Sequence, residues 1–452
     1  MLRVAYFSPL NPVKSGISDY SEELLPYLAQ GAEVALFVDG YQPTNPEIVK
    51  NFPIYDVRQL DPKDHLAAYD ITLYHLGNSP AHGYIYNALL EWPGVVVLHD
   101  YCLHHMLAGL FLEGGQPQRY VEEMRYCHSR EGVLLAKQVL TTPGFYPWEK
   151  EPLRYPLNKR TIACAQGLIV HSHFVRNLVL AEHPCVPVRK INHHVMPEDA
   201  GEMTEAERVT LRRKYGIPAA AVVVGSFGYI NVDKRLEQLL EALSLLRDLF
   251  PLFCLLVGEP LVNTSRLTEM IKKRGLTDRV RWTGFVDLAS FRELVALTDV
   301  CVNLRYPTMG ETSGSLCRLL AAGKPCVVSN VGWFGELPDS CVVKVNVDAH
   351  EIERLAYSLW ELTVNEPLRW QIGQNARAYV QSHHRVADVA REYLAFCQEV
   401  REQEERWVEL SLASECAEVL SDIGVREVDD DLSKGLVEAL YEVAGPREGS
   451  LR

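Results

Sequence analysis

The feature that most restricts this chain is an alternation that runs its course twice. Short β-branched runs (RVAYFSPL, EVALFV, DITLYHLG, GVVVLHD, AQGLIVHS) alternate with helical stretches such as DYSEELLPYLAQ and HFVRNLVLA. The pattern then restarts with AVVVGSFGYI, FCLLVGE, VRWTGFV and VCVNLRY, separated by segments such as KRLEQLLEALSLLRDL, whose leucines recur at i, i+3 and i+4. Apolar strands of this length joined by helices predict parallel sheets with crossover helices. Two doubly wound α/β domains are therefore expected, over residues 1–195 and 205–385. A polar helical stretch, MPEDAGEMTEAERVTLRRKYGIP, reads as the linker. Residues 386–452 read as a helical segment whose first helix, VADVAREYLAFCQEVREQEERWVEL, is expected to pack back toward the first domain. LASECAEVLSDIG and DLSKGLVEALYEVAG read as two further amphipathic helices.

A chain of 452 residues that is 47% apolar can fill two large cores. Its 45 basic and 59 acidic residues give a formal charge of −14. That balance speaks against nucleic-acid partners, whose phosphates need neutralising by lysine and arginine. Eleven cysteines lie scattered without a C-x-x-C pair, which fits reduced thiols and a cytoplasmic setting. The amino terminus has no signal-peptide pattern, and no run reaches the length of a membrane span. Peripheral membrane contact and homo-oligomer contact stay open.

Ligands of open α/β sheets bind at the carboxyl ends of the strands. Four loops there carry chemistry. In SPLNPVKSGISDYS, Gly16 lies between strand and helix, with Ser18 or Asp19 placed to cap the helix; a helix start offers free N–H groups to an anion. Twelve of the fifteen histidines precede residue 200, and His75 and His99 end β-type runs. With no convincing His-x-x-x-His set, polar lining of a sugar-sized cleft is expected rather than a metal. In GSFGYINVDKR, Gly225 and Gly228 follow a strand and Lys234 arrives at the next helix start, a pattern suited to a phosphate. The stretch RYPTMGETSGSLCRLLAAGKP sets Arg305 at a strand end and Gly310, Glu311, Thr312, Ser313 and Gly314 at a helix N-terminus. Its free N–H groups suit phosphate or sugar oxygens. The aromatics of residues 122–159 are candidates for acceptor contacts or for local core.

Taken in order, SGISDY, VVVLHD, GLIVHS, VGSFGYI…DK, LLVGE, VRWTGFV and VNLRYPTMGETSGSLCRLLAAGKPCVVSNVGWFGELPD resemble the retaining nucleotide-sugar glycosyltransferases of family four, over about residues 1–400. The resemblance implies a GT-B fold with two Rossmann-like domains facing a central cleft. It implies a nucleoside diphosphate sugar bound mainly by the second domain, a glycan, lipid or protein acceptor on the first, retention of configuration, and no metal or other cofactor. It places Gly16 near the donor phosphates, His99 near the reacting sugar, Lys234 on the diphosphate, and Phe285 and Val286 beside the nucleobase. The family pattern has two glutamates eight residues apart, on sugar and ribose. Here those places hold Gly310 and Arg318, so Glu311 is expected to serve as the first through a loop shift. An arginine expected before Lys234 is replaced by Gly228 and Tyr229, and Arg305 or Arg318 is expected to supply its charge. Two rivals stand beside transfer: another sugar-nucleotide enzyme such as an epimerase or phosphorylase, and a transferase-like subunit without turnover.

Overall fold

The computed structural model describes residues 1–59, 65–196 and 203–403 and the single position 435; most of the segment after Gln403, including both tail helices expected above, lies outside the described residues. The first sheet contains β1 (Leu2–Phe7), β2 (Ala32–Val38), β3 (Ile54–Asp56), β4 (Ile71–Leu76), β5 (Gly94–Leu98), β6 (Ala165–Val170) and β7 (Val188–Lys190). The second contains β8 (Val222–Phe227), β9 (Leu252–Val257), β10 (Val280–Gly284), β11 (Val300–Asn303), β12 (Cys326–Ser329) and β13 (Val342–Val345). Every pairing is parallel, in the orders β3-β2-β1-β4-β5-β6-β7 and β10-β9-β8-β11-β12-β13. Strand order reverses between β1 and β4 and between β8 and β11, and these are the switch points at which a crevice opens in such sheets.

Both faces of each sheet are covered, so inner strands such as β5, β9 and β11 are buried along their whole length, while the edge strands β3 and β7 are half-buried. In β1, Ala5 and Phe7 join one core with Tyr74, Leu76 and Leu98. Val4 and Tyr6 point the other way, toward Leu73, Val97 and Ile169. That second core is completed from far along the chain. Val386, Val389, Ala390, Tyr393, Phe396, Cys397 and Val400 of helix Val386–Glu402 pack into it, and Tyr20 and Tyr393 share a hydrogen bond of 2.7 Å. The last described helix therefore belongs to the first domain's core.

The polar stretch between the domains holds helix Glu205–Tyr215, whose capping box joins Thr204 and Glu207. The two crossings between domains lie side by side. Val195 pairs in parallel with Arg385 and donates its N–H to the His384 carbonyl at 2.8 Å, and Asn192 Nδ2 donates to the His383 carbonyl at 2.9 Å.

Candidate functional site

The helix after β1 begins earlier than the sequence reading placed it. Gly16 is its first residue, and neither Ser18 nor Asp19 caps it. Ser15 adopts extended backbone and accepts from Ile17 N at 3.1 Å, while Ser18 Oγ donates to the Val13 carbonyl at 2.7 Å. Nothing lies within 4 Å of where a Gly16 Cβ would stand, so the first turn faces open space.

Around this turn the N-terminal edge is lined by imidazoles. His99 is buried, and its Nε2 lies 3.0 Å from His75 Nδ1. Tyr20 stands among the rings of His99, His193 and His194, with centroids 4.9, 4.7 and 4.2 Å away, and His171 sits 5.0 Å from His99. Burial favours the neutral form of His75, His99, His171 and His193. It holds His75, His99 and His193 well below the usual imidazole value, with neighbouring histidines adding to the effect, and lowers His82, His171 and His384 to about 4. Among the described residues no group of three or more His, Cys, Asp or Glu could hold a metal ion. Asp100 accepts from Asn78 N at 2.8 Å instead of capping a helix. Burial, and then the nearby Glu311, raise its carboxyl to about 7.

The C-terminal edge is ionic. Gly228 leaves β8 with φ +97, a backbone conformation that favours glycine, and an added Cβ would stand 2.8 Å from Lys234 Nζ and push the ammonium aside. Lys234 closes a 3-10 turn just ahead of helix Leu236–Leu246, is 7% exposed, and donates to the Phe227 carbonyl. Burial, then the charge of Arg305, lowers its amine to about 7. Arg305 leaves β11 and sits between Asp233 and Glu311, with Nε 2.9 Å from Glu311 Oε1. Glu311 also accepts from Met309 N at 2.7 Å and from Thr308 Oγ1 at 3.1 Å. Ser313 caps helix Gly314–Ala321 by accepting from Leu316 N at 3.2 Å, and bonds Ser315 Oγ at 3.1 Å. Thr312 is half-buried beside it.

Gly228, Lys234, Arg305, Glu311, Ser313 and Gly314 thus gather at the second switch point, while Gly16 and His99 hold the first. Phe285 and Val286 lie apart, past the end of β10, two strands from β8. Phe285 is 58% exposed beneath Lys14 Nζ, 5.1 Å from its ring centre; Val286 packs on the core. Arg318 faces the other domain and pairs with Glu23 of helix Gly16–Leu28. The loops also meet directly: Cys102 N donates to the Met309 carbonyl at 2.9 Å, and Gly310 lies against Tyr101.

Sequence reasoning missed Asp233, Glu23, Tyr20, His171 and His193. His171 ends a β-type run as His99 does, so the same rule reaches it. Glu23 lies mid-helix and carries no local signal. Of the region 122–159, Tyr155 O and the Trp148 ring meet His104, which also bonds Tyr120 OH; the rings of His104 and Trp148 stack at 3.9 Å. Trp148 and Tyr155 are core, and Tyr146 is exposed.

Residues 207–379 match the family described as glycosyl transferases group 1. The chain is 24% identical over 198 residues to the α-D-kanosaminyltransferase of Streptomyces kanamyceticus, covering 43% of this chain and 50% of that protein. It is 26% identical over 188 residues to a D-inositol 3-phosphate glycosyltransferase of Stackebrandtia nassauensis, covering 39% and 42%. The matches therefore span half or less of these curated relatives' length. In fold, it is similar to Anabaena Alr3699/HepE in complex with UDP and glucose, with a TM-score of 0.61, 18% identity and coverage of 88% of this chain and 100% of that one. It is also similar to sucrose-phosphate synthase from Thermosynechococcus elongatus, with a TM-score of 0.62, 16% identity and coverage of 88% and 99%. No helix among the described residues is long and apolar enough to cross a membrane.

Proposed function

We propose that this chain, which carries a glycosyl transferases group 1 domain on a GT-B frame, moves a sugar from a nucleoside diphosphate sugar to a hydroxyl acceptor. Configuration is retained and no metal is needed. The observation that carries this reading is the buried Lys234 beside glycine-shaped Gly228, at the switch point where the capped helix Gly314–Ala321 begins. Breaking the bond between the anomeric carbon and the phosphate oxygen sends its electron pair to the departing diphosphate. Lys234 and the free N–H groups at Gly314 and Gly16 stabilise that growing charge with dipoles already in place. The acceptor oxygen bonds the anomeric carbon from the face the diphosphate leaves, and the hydroxyl proton passes to a phosphate oxygen. His99, kept neutral, offers a hydrogen bond to the sugar or the acceptor. UDP is the first donor base to try, because Alr3699/HepE was crystallised with it.

A second reading draws support from one contact. Arg305 and Glu311 engage each other in the closed cleft, as they would in a transferase-like subunit without turnover. Thermal stabilisation by UDP, GDP and ADP and by their sugar conjugates, with and without EDTA, separates the two when followed by transfer assays and NMR of the product anomer. Stabilisation and transfer in EDTA are expected. Absence of both with every nucleotide sugar overturns the proposal.

A further inference from the structure

The Arg318–Glu23 pair is less exposed than the other bridges across the cleft that use a charged side chain. Lys14 and Glu259, 3.6 Å apart, are 64% and 41% exposed, and Glu336, which accepts from His173 N at 3.0 Å, is exposed as well. Solvent screens such contacts and leaves them weak. Arg318 and Glu23 are 18% and 19% exposed, and 295 residues separate them in sequence. The second oxygen of Glu23 reaches His194 Nε2 at 3.5 Å. His194 sits in the segment where the chain crosses between domains, next to Val195 and its pairing with Arg385. His193 lies close enough to Gly314 that a Cβ there would stand 3.2 Å from its Nε2. One buried carboxylate therefore touches the hinge, the first helix of one domain and the first turns of a helix of the other.

We infer that Glu23 and Arg318 are positioning residues: their ion pair, seated on the hinge through His194, sets the angle at which helices Gly16–Leu28 and Gly314–Ala321 meet, and so aims both N-termini at one point. Neither group contacts the donor in this scheme; each acts through the helix that bears it. The inference rests on the reading of the cleft as a donor site only for its kinetic consequence, since the closed angle is a property of the ligand-free chain. Removing either charge takes away the attraction between the two helices across the cleft, which favours opening.

The full chain, E23Q, R318Q and the exchanged pair E23R/R318E are compared by small-angle scattering without ligand and by donor KM and kcat. Each single variant is expected to scatter as a more open particle and to raise donor KM about tenfold with kcat little changed; the exchanged pair recovers both in part. K234A is expected to lose turnover while scattering like the parent. Single variants that keep the parent's scattering overturn the inference, whether or not KM moves, because a shift in KM alone would make these residues donor contacts. If the parent transfers no sugar from any donor, the proposed activity fails, and the scattering comparison still decides the clasp.

Discussion

At the N-terminal edge of the cleft the polar groups are imidazoles packed around Tyr20, with burial favouring the neutral form of His99 and His193; at the C-terminal edge they are ions, with Lys234 and Arg305 set among Asp233 and Glu311. Both edges are buried, and burial penalises charge in each. The first edge answers by giving its charge up, which leaves hydrogen-bonding groups suited to neutral hydroxyls. The second keeps its charges by pairing them, and Lys234, whose nearest partner is a carbonyl, is the one brought down to about 7. The same physical cost, met in two ways, gives the two edges the characters that the proposed sugar and diphosphate sites require.

Acid tests the neutral edge most severely. His82, His171 and His384 take a proton near pH 4 when folded but near 6.5 when unfolded. Above pH 6.5 both forms are neutral and stability is full. As pH falls toward 4 the unfolded chain binds protons first, and each histidine removes stability on the order of 3 kcal/mol. Asp100, raised to about 7, works oppositely, because the folded chain takes its proton first; it returns a similar amount. The net direction is a loss of stability toward acid, because more buried histidines than carboxyls titrate in this range. Thermal melts from pH 8 to 4.5 should show it, and a melting temperature unchanged at pH 5 would break the contrast between the edges.

Removing the unpaired ammonium is next in size. Lys234→Ala should lower turnover about 100–1000-fold, or 2.7–4 kcal/mol, in steady-state assays with the parent's melting temperature kept within a few degrees. Gly228→Ala should cost about 1–3 kcal/mol through its positive φ and the approach of Lys234, read as a fall in melting temperature together with weaker nucleotide binding. The smallest effect sharpens the comparison. An arriving diphosphate returns a proton to Lys234, so affinity falls as pH rises, by about tenfold per unit above pH 7. Titration calorimetry with UDP at pH 7 and 8.5 measures it, and Lys234→Arg, always charged, should flatten the profile.

Much of this was legible in the residues, and the physical reasons are specific. Strands such as β1, β5 and β9 are buried on both faces, so their runs are unbroken and easy to find. The three-residue, half-buried β3 and β7 have no such signature and escaped notice. Lys234 and Ser313 stand beside the glycine turns and helix starts that mark them. Helix Gly16–Leu28 began earlier than expected because Ser15, an ordinary loop residue in sequence, supplies the cap. Glu23 could not be read: its role comes from Arg318 and His194, which tertiary folding brings to it.

The return of helix Val386–Glu402 to the first domain has a consequence for how the protein is made. The apolar flank of β1 and β4 precedes in the chain the helix that completes its cover, so in synthesis the strands emerge well before Val386–Glu402 does. Until then helix Gly16–Leu28 covers only part of that flank, while the second domain can already close on itself. Maturation of the nascent chain therefore runs against the order of its message: the half that starts first finishes last.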